Sequence, residues 1–525
     1  MDLRVAYGCA ALTGALWALA FCVPRIWLVA LVALAPLAVA LEGRSSRQCF
    51  GLGLAAGFTQ YLAGIYWLYS SLRSFTAFAA PICVALMIAI CLYQGGRLAV
   101  FAWLYGRARE RGWPRGRVFL LAFGATEWAY PLLFPSPFGA CAHRAPALLQ
   151  LAEWGGPYAV GLLLAAPSLA LAEAVLGRPA GGRPRAWVVL AGAAIVPLAA
   201  LAGAVRMKAI DARASASPPV RVGLVQANVS PANSPRGSID GLRTHLGMSA
   251  ELRDRGVDLL VWSEGVVNSV GDDVYQRELP RLFTRQLRLP LVFGAILTHG
   301  QGDDRRAMNV VLTSRADGRV DGRYDKRLLF PFGEYLPFGE TFPALYRWFP
   351  HTAHLHPGNE AGTLAVAGHH LMALICYEDL FPGFVNDAIR RTDAEMIVSV
   401  SNDAWFGDTI EPLEHFVQAQ FRAVEHRRYL VRAANSGVSA VVDPAGRVVF
   451  QSATFRPEIA DVLARWMPPP RTGYEIWGDA PWWIAAALAI GMAMVNVTRV
   501  GWPTRLRGGR AKGSQSRGHS RERQY

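Results

Sequence analysis

The chain has 525 residues, is 52% hydrophobic and only 18% charged, and has a mean hydropathy of +0.22. That balance is too apolar for a purely soluble protein and predicts membrane spans joined to a folded domain. The net charge of +14 does not point to nucleic acid, because many of the arginines lie in short loops between apolar runs and in the tail, as membrane topology requires.

Seven apolar runs of about 20 residues, each long enough to cross a bilayer, lie near 4–23, 26–42, 50–72, 75–106, 118–138, 157–177 and 187–205. The first resembles a signal peptide, and Leu19-Ala-Phe-Cys22 faintly resembles a lipobox. Phe21 is too large before that cysteine and further spans follow at once, so the run is expected to stay as a first span. Tyr61, Tyr66, Trp67 and Tyr69 read as an interfacial aromatic belt. The fourth run is interrupted at Gln94-Gly95-Gly96, which predicts a broken or re-entrant helix.

Orientation follows from the arginines. The loops after the second, fourth and sixth runs hold Arg44 and Arg47; Arg107, Arg109, Arg111, Arg115 and Arg117; and Arg178, Arg183 and Arg185. The loops after the first, third and fifth hold only Arg25, Arg73 and Arg144. The basic loops are therefore expected in the cytoplasm. A seventh span then leaves the chain outside near residue 207, and a last span near 480–498 returns it. The Arg-rich tail from Arg505 to Arg523 ends on the cytoplasmic side and is expected to be disordered. The resulting division is a membrane domain with seven spans at 1–214, a polar domain at 215–470, a single span at 471–500 and a basic tail at 501–525.

Within 215–470, strands are predicted at 221–229, 257–263, 289–297, 308–314, 371–375, 395–401 and 438–443, with an amphipathic helix at 412–428. Strands and helices at this density predict a sheet covered by helices. Six of the seven cysteines fall in or beside apolar stretches. Cys376 stands alone in the polar domain, as a free thiol at the end of the strand Leu371-Met-Ala-Leu-Ile and before a helix expected from Pro382. A lone cysteine is more often a structural one. Here two other ionisable residues end predicted strands: Glu264 after Val257-Asp-Leu-Leu-Val-Trp-Ser, and Lys326 after Arg319-Val-Asp-Gly-Arg-Tyr-Asp. A carboxylate can take a thiol proton, and an ammonium lowers the cost of a thiolate and of an oxyanion. A structural Glu264–Lys326 ion pair is the competing reading, and the chemistry alone leaves both open.

Glu264, Lys326 and Cys376 in this order at strand ends resemble the nitrilase superfamily and its αββα sandwich. Trp262-Ser-Glu264, Tyr324-Asp-Lys326-Arg-Leu-Leu-Phe-Pro-Phe-Gly-Glu334-Tyr-Leu-Pro337, Cys376-Tyr377-Glu378, Ser401-Asn-Asp-Ala-Trp405-Phe-Gly407 and Arg432-Ala-Ala-Asn435-Ser-Gly437-Val-Ser439 narrow the likeness to the apolipoprotein N-acyltransferase family, the membrane-embedded branch of that superfamily. The eight spans agree with that family. The chain departs from it at 226–236, which contains no aromatic residue where the family often has one.

The resemblance implies a polytopic helical membrane region of about eight spans carrying an extracytoplasmic nitrilase-like domain, in a bacterial inner membrane with the catalytic domain on the periplasmic face. It implies ping-pong acyl transfer. Cys376, activated by Glu264, attacks a phospholipid ester, and the thioester passes to the α-amine of a diacylglyceryl-cysteine at a lipoprotein N-terminus. Lys326 holds the oxyanion, Glu334 supports the site, and Tyr377 and Glu378 join it. No metal and no organic cofactor is expected. Two rivals stand beside this reading: a membrane-tethered nitrilase-type amidase with water as acceptor, and a non-enzymatic binder on a dead domain, which the intact Glu, Lys and Cys disfavour. The aromatic-rich segment 330–349 reads as a lid at the lipid interface. His351, His354 and His356 match no familiar zinc spacing.

Overall fold

The computed structural model describes residues 1–177, 186–229, 235–271, 282–283, 286–300, 306–468 and 471–497. The Arg178, Arg183 and Arg185 loop, the tail from Arg505 to Arg523 and part of the 226–236 loop lie outside the described residues.

Helices make up most of the described residues up to 215. Four are long and apolar enough to cross a membrane: Leu3–Cys22, Ala80–Glu110, Ala152–Leu176 and Trp187–Ser215. The other expected spans take different forms. The run at 26–42 breaks into a 3-10 turn, Pro24–Val29, and two short helices, Ala30–Ala33 and Ala35–Ala40. Pro36 cannot donate to the ladder, and at this break the amides of Leu34 and Leu37 donate to Ser168 Oγ and Thr13 Oγ1 at 3.1 and 3.0 Å. The run at 50–72 becomes Ser46–Gly64, opened by a Ser45/Gln48 capping box, and a separate helix Leu68–Phe75. The run at 118–138 is helical only over Arg115–Ala129, since Pro131, Pro135 and Pro137 forbid more. The last expected span is the helix Ala480–Met494.

Two expectations from this region are corrected. The fourth helix runs unbroken from Ala80 to Glu110 through Gln94-Gly95-Gly96. Gly95 instead allows close contact with Ser46–Gly64: a Cβ on Gly57 would sit 2.3 Å from the carbonyl oxygen of Gly95. This is small-residue helix packing in which backbones touch. Nor do Tyr61, Tyr66, Trp67 and Tyr69 form a belt. Tyr61 and Trp67 are 1% and 2% exposed, inside a cluster with Leu68, Cys91 and Phe406.

Among the described residues the strands lie between 219 and 465. They are β1 (Pro219–Gln226), β2 (Leu259–Trp262), β3 (Val267–Gly271), β4 (Leu291–His299), β5 (Arg306–Ser314), β6 (Val320–Asp325), β7 (Thr363–Val366), β8 (His369–Ile375), β9 (Met396–Ser401), β10 (Tyr429–Ala434), β11 (Ala440–Val442), β12 (Val448–Gln451) and β13 (Glu458–Arg465). Among the described residues they form two sheets, ordered β13-β1-β2-β4-β5-β6, with β3 beside β4, and β12-β11-β10-β9-β8-β7. The inner faces meet in one core that includes Val222, Val261, Val311, Ile375, Val398 and Val431. Each such side chain contributes about 1.5–3 kcal/mol on full burial. The outer face of the first sheet packs Leu246 and Leu252 of the helix Pro235–Asp254. That of the second packs the helices Pro382–Arg390 and Glu411–His426. The layers are therefore helix, sheet, sheet, helix. The parallel pairs β1–β2–β4 and β8–β9–β10 bring several strand C-termini to one rim.

Candidate active site

Each of the three predicted residues is delivered just past a strand. Glu264 lies two residues beyond β2, Lys326 directly after β6 and Cys376 directly after β8. The structure brings them together. Lys326 Nζ lies 3.7 Å from Glu264 Oε1 and 2.8 Å from Glu334 Oε2, with the Lys326 side chain 1% exposed. Glu334 also accepts from the Phe330 amide at 2.8 Å. Sequence reasoning missed Asn309 on β5. Its Nδ2 donates to Glu264 Oε1 at 2.6 Å and to Glu334 Oε1 at 2.9 Å, one proton for each carboxylate.

The electrostatics assign the protons. Burial pushes the Cys376 thiol well above its ordinary pKa, the Glu264 carboxylate adds to this, and Lys326 offsets only part of it. Cys376 therefore rests as a thiol. Burial also raises Glu264, against the pull of Lys326, which makes it a stronger base. Burial pulls Lys326 down, but the carboxylates of Glu334 and Glu264 outweigh burial and keep it protonated. The cluster thus holds a neutral thiol, a carboxyl group and a fixed cation close enough to shift one another's pKa.

Cys376 has φ +51°, a left-handed conformation that costs a non-glycine residue about 1–2 kcal/mol. The next residues hold it there. Glu378 is fully buried and accepts from the Ile375 amide at 2.9 Å, the Tyr324 hydroxyl at 2.7 Å and the Arg327 and Leu328 amides at 2.8 and 3.1 Å. It clamps the nucleophile turn to the segment that carries Lys326, so its work is geometric. Tyr377 points the other way, and its hydroxyl donates to the carbonyl of Leu133, in the helical region, at 2.7 Å.

Beneath the thiol lies a buried charge cluster. Asp379 accepts from Ser399 Oγ at 2.7 Å and lies 2.9 Å from His415 Nε2. Asp403 accepts from Ser401 Oγ at 2.6 Å and lies 3.2 Å from His415 Nδ1. Arg432, on β10, bonds Asp379 and lies 3.3 Å from Asp403. Burial and Arg432 pull the His415 pKa down, yet Asp379 and Asp403 raise it to about 10. Cys376, Asp403 and His415 present ligand atoms within 4.8 Å of one another. An imidazolium ion-paired through both nitrogens is no ligand, so the set reads as an ion-paired support rather than a metal centre. His354, expected to bind no metal, stacks on Tyr346 with ring centroids 3.5 Å apart.

A cavity of about 610 Å³ is lined by Tyr377, the residue after Cys376, and by Gly333, the residue before Glu334. Its wall combines Leu72, Ile90 and Leu133 of the helical region with Phe330, Phe332 and Tyr377 of the sheet domain. Phe330 packs on Tyr377 at 5.1 Å and on Phe134 at 6.0 Å. The segment 330–349 therefore has an anchored start, while Phe338, Phe342 and Trp348 are exposed at 76%, 60% and 58%. Its far end returns to the helical region, where Phe349 packs on Phe78 and the Trp348 carbonyl accepts from the Ala77 amide.

Comparison with known proteins agrees in both halves. Residues 13–170 match the family model described as the apolipoprotein N-acyltransferase N-terminal domain, and residues 221–463 match the carbon-nitrogen hydrolase model. Apolipoprotein N-acyltransferase of Geobacter metallireducens is 27% identical over 506 residues, covering 94% of this chain and 95% of its own. That of Azotobacter vinelandii is 29% identical over 491 residues, covering 88% and 92%. Among solved structures, an amidase from Nesterenkonia sp. is similar with a TM-score of 0.34 at 20% identity, over 47% of this chain and 92% of that one.

Proposed function

The chain belongs to the apolipoprotein N-acyltransferase family, and from that premise we propose that it moves a fatty acyl chain from a phospholipid, through a thioester on Cys376, to the α-amine of a lipoprotein's N-terminal diacylglyceryl-cysteine. One observation carries the reading: an apolar cavity built jointly by the sheet domain and the helical region is lined by Tyr377, the residue after Cys376 of the Glu264–Lys326–Cys376 cluster. An acyl chain has use for that wall, and a small amide hydrolysed by water has none.

The steps balance. Cys376 Sγ attacks the ester carbonyl while Glu264 takes the thiol proton, and Lys326 faces the developing oxyanion. Collapse expels the lysophospholipid oxygen, which takes the proton from Glu264. The lipoprotein amine then attacks the thioester, Glu264 accepts its proton, and the thiolate leaves and is reprotonated. Glu334 and Asn309 hold Lys326 and Glu264 throughout. Glu378 fixes the nucleophile turn, and Tyr377 walls the acyl chain. The thiol supplies the covalent chemistry, so neither metal nor organic cofactor enters. Intact mass of the purified protein tests this directly. Phospholipid alone should add one acyl mass, and a diacylated peptide with a free N-terminal cysteine amine should remove it. Loss of the acyl group to water without peptide would make the protein an amidase.

We place the division at a seven-span region over 1–214, the catalytic domain over 215–470, a last span over 471–500 and a basic tail over 501–525. The catalytic domain then lies on the periplasmic face of a bacterial inner membrane, a reading supported by the arginine-rich alternate loops. A reporter active only outside the cytoplasm should be active when fused near Ser215 and silent after Arg510; the opposite pattern would reverse the topology.

The exposed aromatics of 330–349 suit a lid that meets the lipid interface. Replacing Trp348 and Phe349 with Ser should slow thioester formation by roughly tenfold, given the apolar area removed, without unfolding the domain. Wild-type acylation rates in that variant would reduce the segment to ordinary packing.

A further inference from the structure

Gln94, Arg97 and Glu127 lie inside the helical region, and all three are buried. Ionisable groups at such depth are costly and call for a specific partner. Theirs is the irregular segment 130–138, whose prolines deny it a helix and leave its backbone groups to find partners elsewhere. Gln94 serves two of them, accepting from the Leu133 amide at 2.9 Å and donating to the Phe134 carbonyl at 3.0 Å. Arg97 donates to the Ser136 carbonyl at 3.1 Å, and Glu127 accepts from the Phe138 amide at 2.7 Å. Arg97 and Glu127 are themselves paired at 2.7 Å. Tyr93, one residue before Gln94, donates to the Pro131 carbonyl at 2.8 Å.

The segment so held is not remote from the thiol. Pro131, Leu132, Leu133 and Phe134 form one wall of the 610 Å³ cavity. The Leu133 carbonyl accepts the hydroxyl of Tyr377, the residue after Cys376. Gln94 grips the Leu133 peptide by its amide, and Tyr377 grips the same residue by its carbonyl. We infer that Gln94, with the Arg97–Glu127 pair behind it, is a positioning residue for the acylation step: through segment 130–138 it sets the acyl wall and the placement of Tyr377 beside the nucleophile. This inference rests on the acyl-transfer reading above.

The test is a double-mutant cycle on the rate of thioester formation from phospholipid, read by intact mass. Gln94→Met keeps the side-chain length and removes both bonds; Tyr377→Phe removes only the hydroxyl. Each should slow acylation by roughly tenfold to a hundredfold, the scale of a small misplacement at a reacting centre. The double variant should be little slower than the worse single one, because both act through Leu133. Tyr93→Phe, which frees one carbonyl at the edge of the segment, should act in the same direction more weakly and guards against a Gln94→Met protein that does not fold. Wild-type rates in Gln94→Met and Tyr93→Phe would overturn the inference. So would fully multiplicative losses in the double variant, the signature of unrelated defects. A wild-type protein that gains no acyl mass would instead remove the reaction itself, and that result is visible before any variant is made.

Discussion

Cys376→Ala should gain no acyl mass from phospholipid and should not acylate the peptide, a loss on the order of 10⁴-fold or more. In the proposed reaction the thiol is the acyl carrier, so no other group can supply the intermediate. Glu264→Gln should lose roughly 10²–10⁴-fold. Its amide keeps the shape and a contact to Asn309 but cannot take a proton from a thiol whose pKa burial has raised. Lys326→Ala should lose roughly 10²–10³-fold if its charge faces the oxyanion. The sign of the pH dependence follows from the same geometry. Attack needs Glu264 ionised, and burial holds its pKa above the ordinary value of about 4.3. Thioester formation should therefore weaken as pH falls through that raised pKa, before exposed carboxylates titrate. A Cys376→Ala protein that still acylates the peptide would end the assignment.

Arg432→Leu should be the most destabilising single change in the sheet domain. Arg432 is fully buried and answers two buried acids, Asp379 and Asp403. Removing one partner of a buried ion pair leaves uncompensated charge and costs about 3–5 kcal/mol. For a domain of this size that is a fall of roughly 10 °C in the thermal midpoint. Burial alone would raise both aspartates, but Arg432 and His415 hold them below the ordinary value. Their contribution is therefore present above the unfolded aspartate pKa of about 3.9 and is lost as pH falls through the depressed folded values. Arg432→Leu should flatten the acid side of the stability curve, and adding Asp379→Asn should restore part of the midpoint. An unchanged midpoint would mean that water reaches the cluster and screens it.

Part of this protein can be read along the chain. Glu264 and Cys376 are legible because each follows a strand whose apolar run is local, and local periodicity survives in any tertiary context, whereas Lys326 follows the polar strand Val320–Asp325 and is marked by its motif instead. Apolar length likewise marks Leu3–Cys22 and Ala152–Leu176 as spans. Other elements hide. β10 was not predicted as a strand: a charge in the middle of Tyr429-Leu-Val-Arg-Ala-Ala breaks the apolar pattern, and only burial against Asp379 and Asp403 makes Arg432 tolerable there. β7 and β12 have four residues each and were missed as well. Gln94-Gly95-Gly96 looks like a break in sequence because glycine is a poor helix former, yet contact with Gly57 turns the same residues into a packing surface.

The sequence by itself determined which candidate reacting groups the chain carries, since a thiol, a carboxylate and an ammonium bring their chemistry wherever the chain carries them. The tertiary structure alone decided their protonation and their company. Asn309 meets Glu264 across 45 residues, His415 meets Asp379 across 36, and Tyr377 reaches Leu133 across 244. No periodicity along a chain encodes contacts at such separations. They arise when burial removes water, and the buried charges and backbone groups left behind are stable only where the fold brings each a partner.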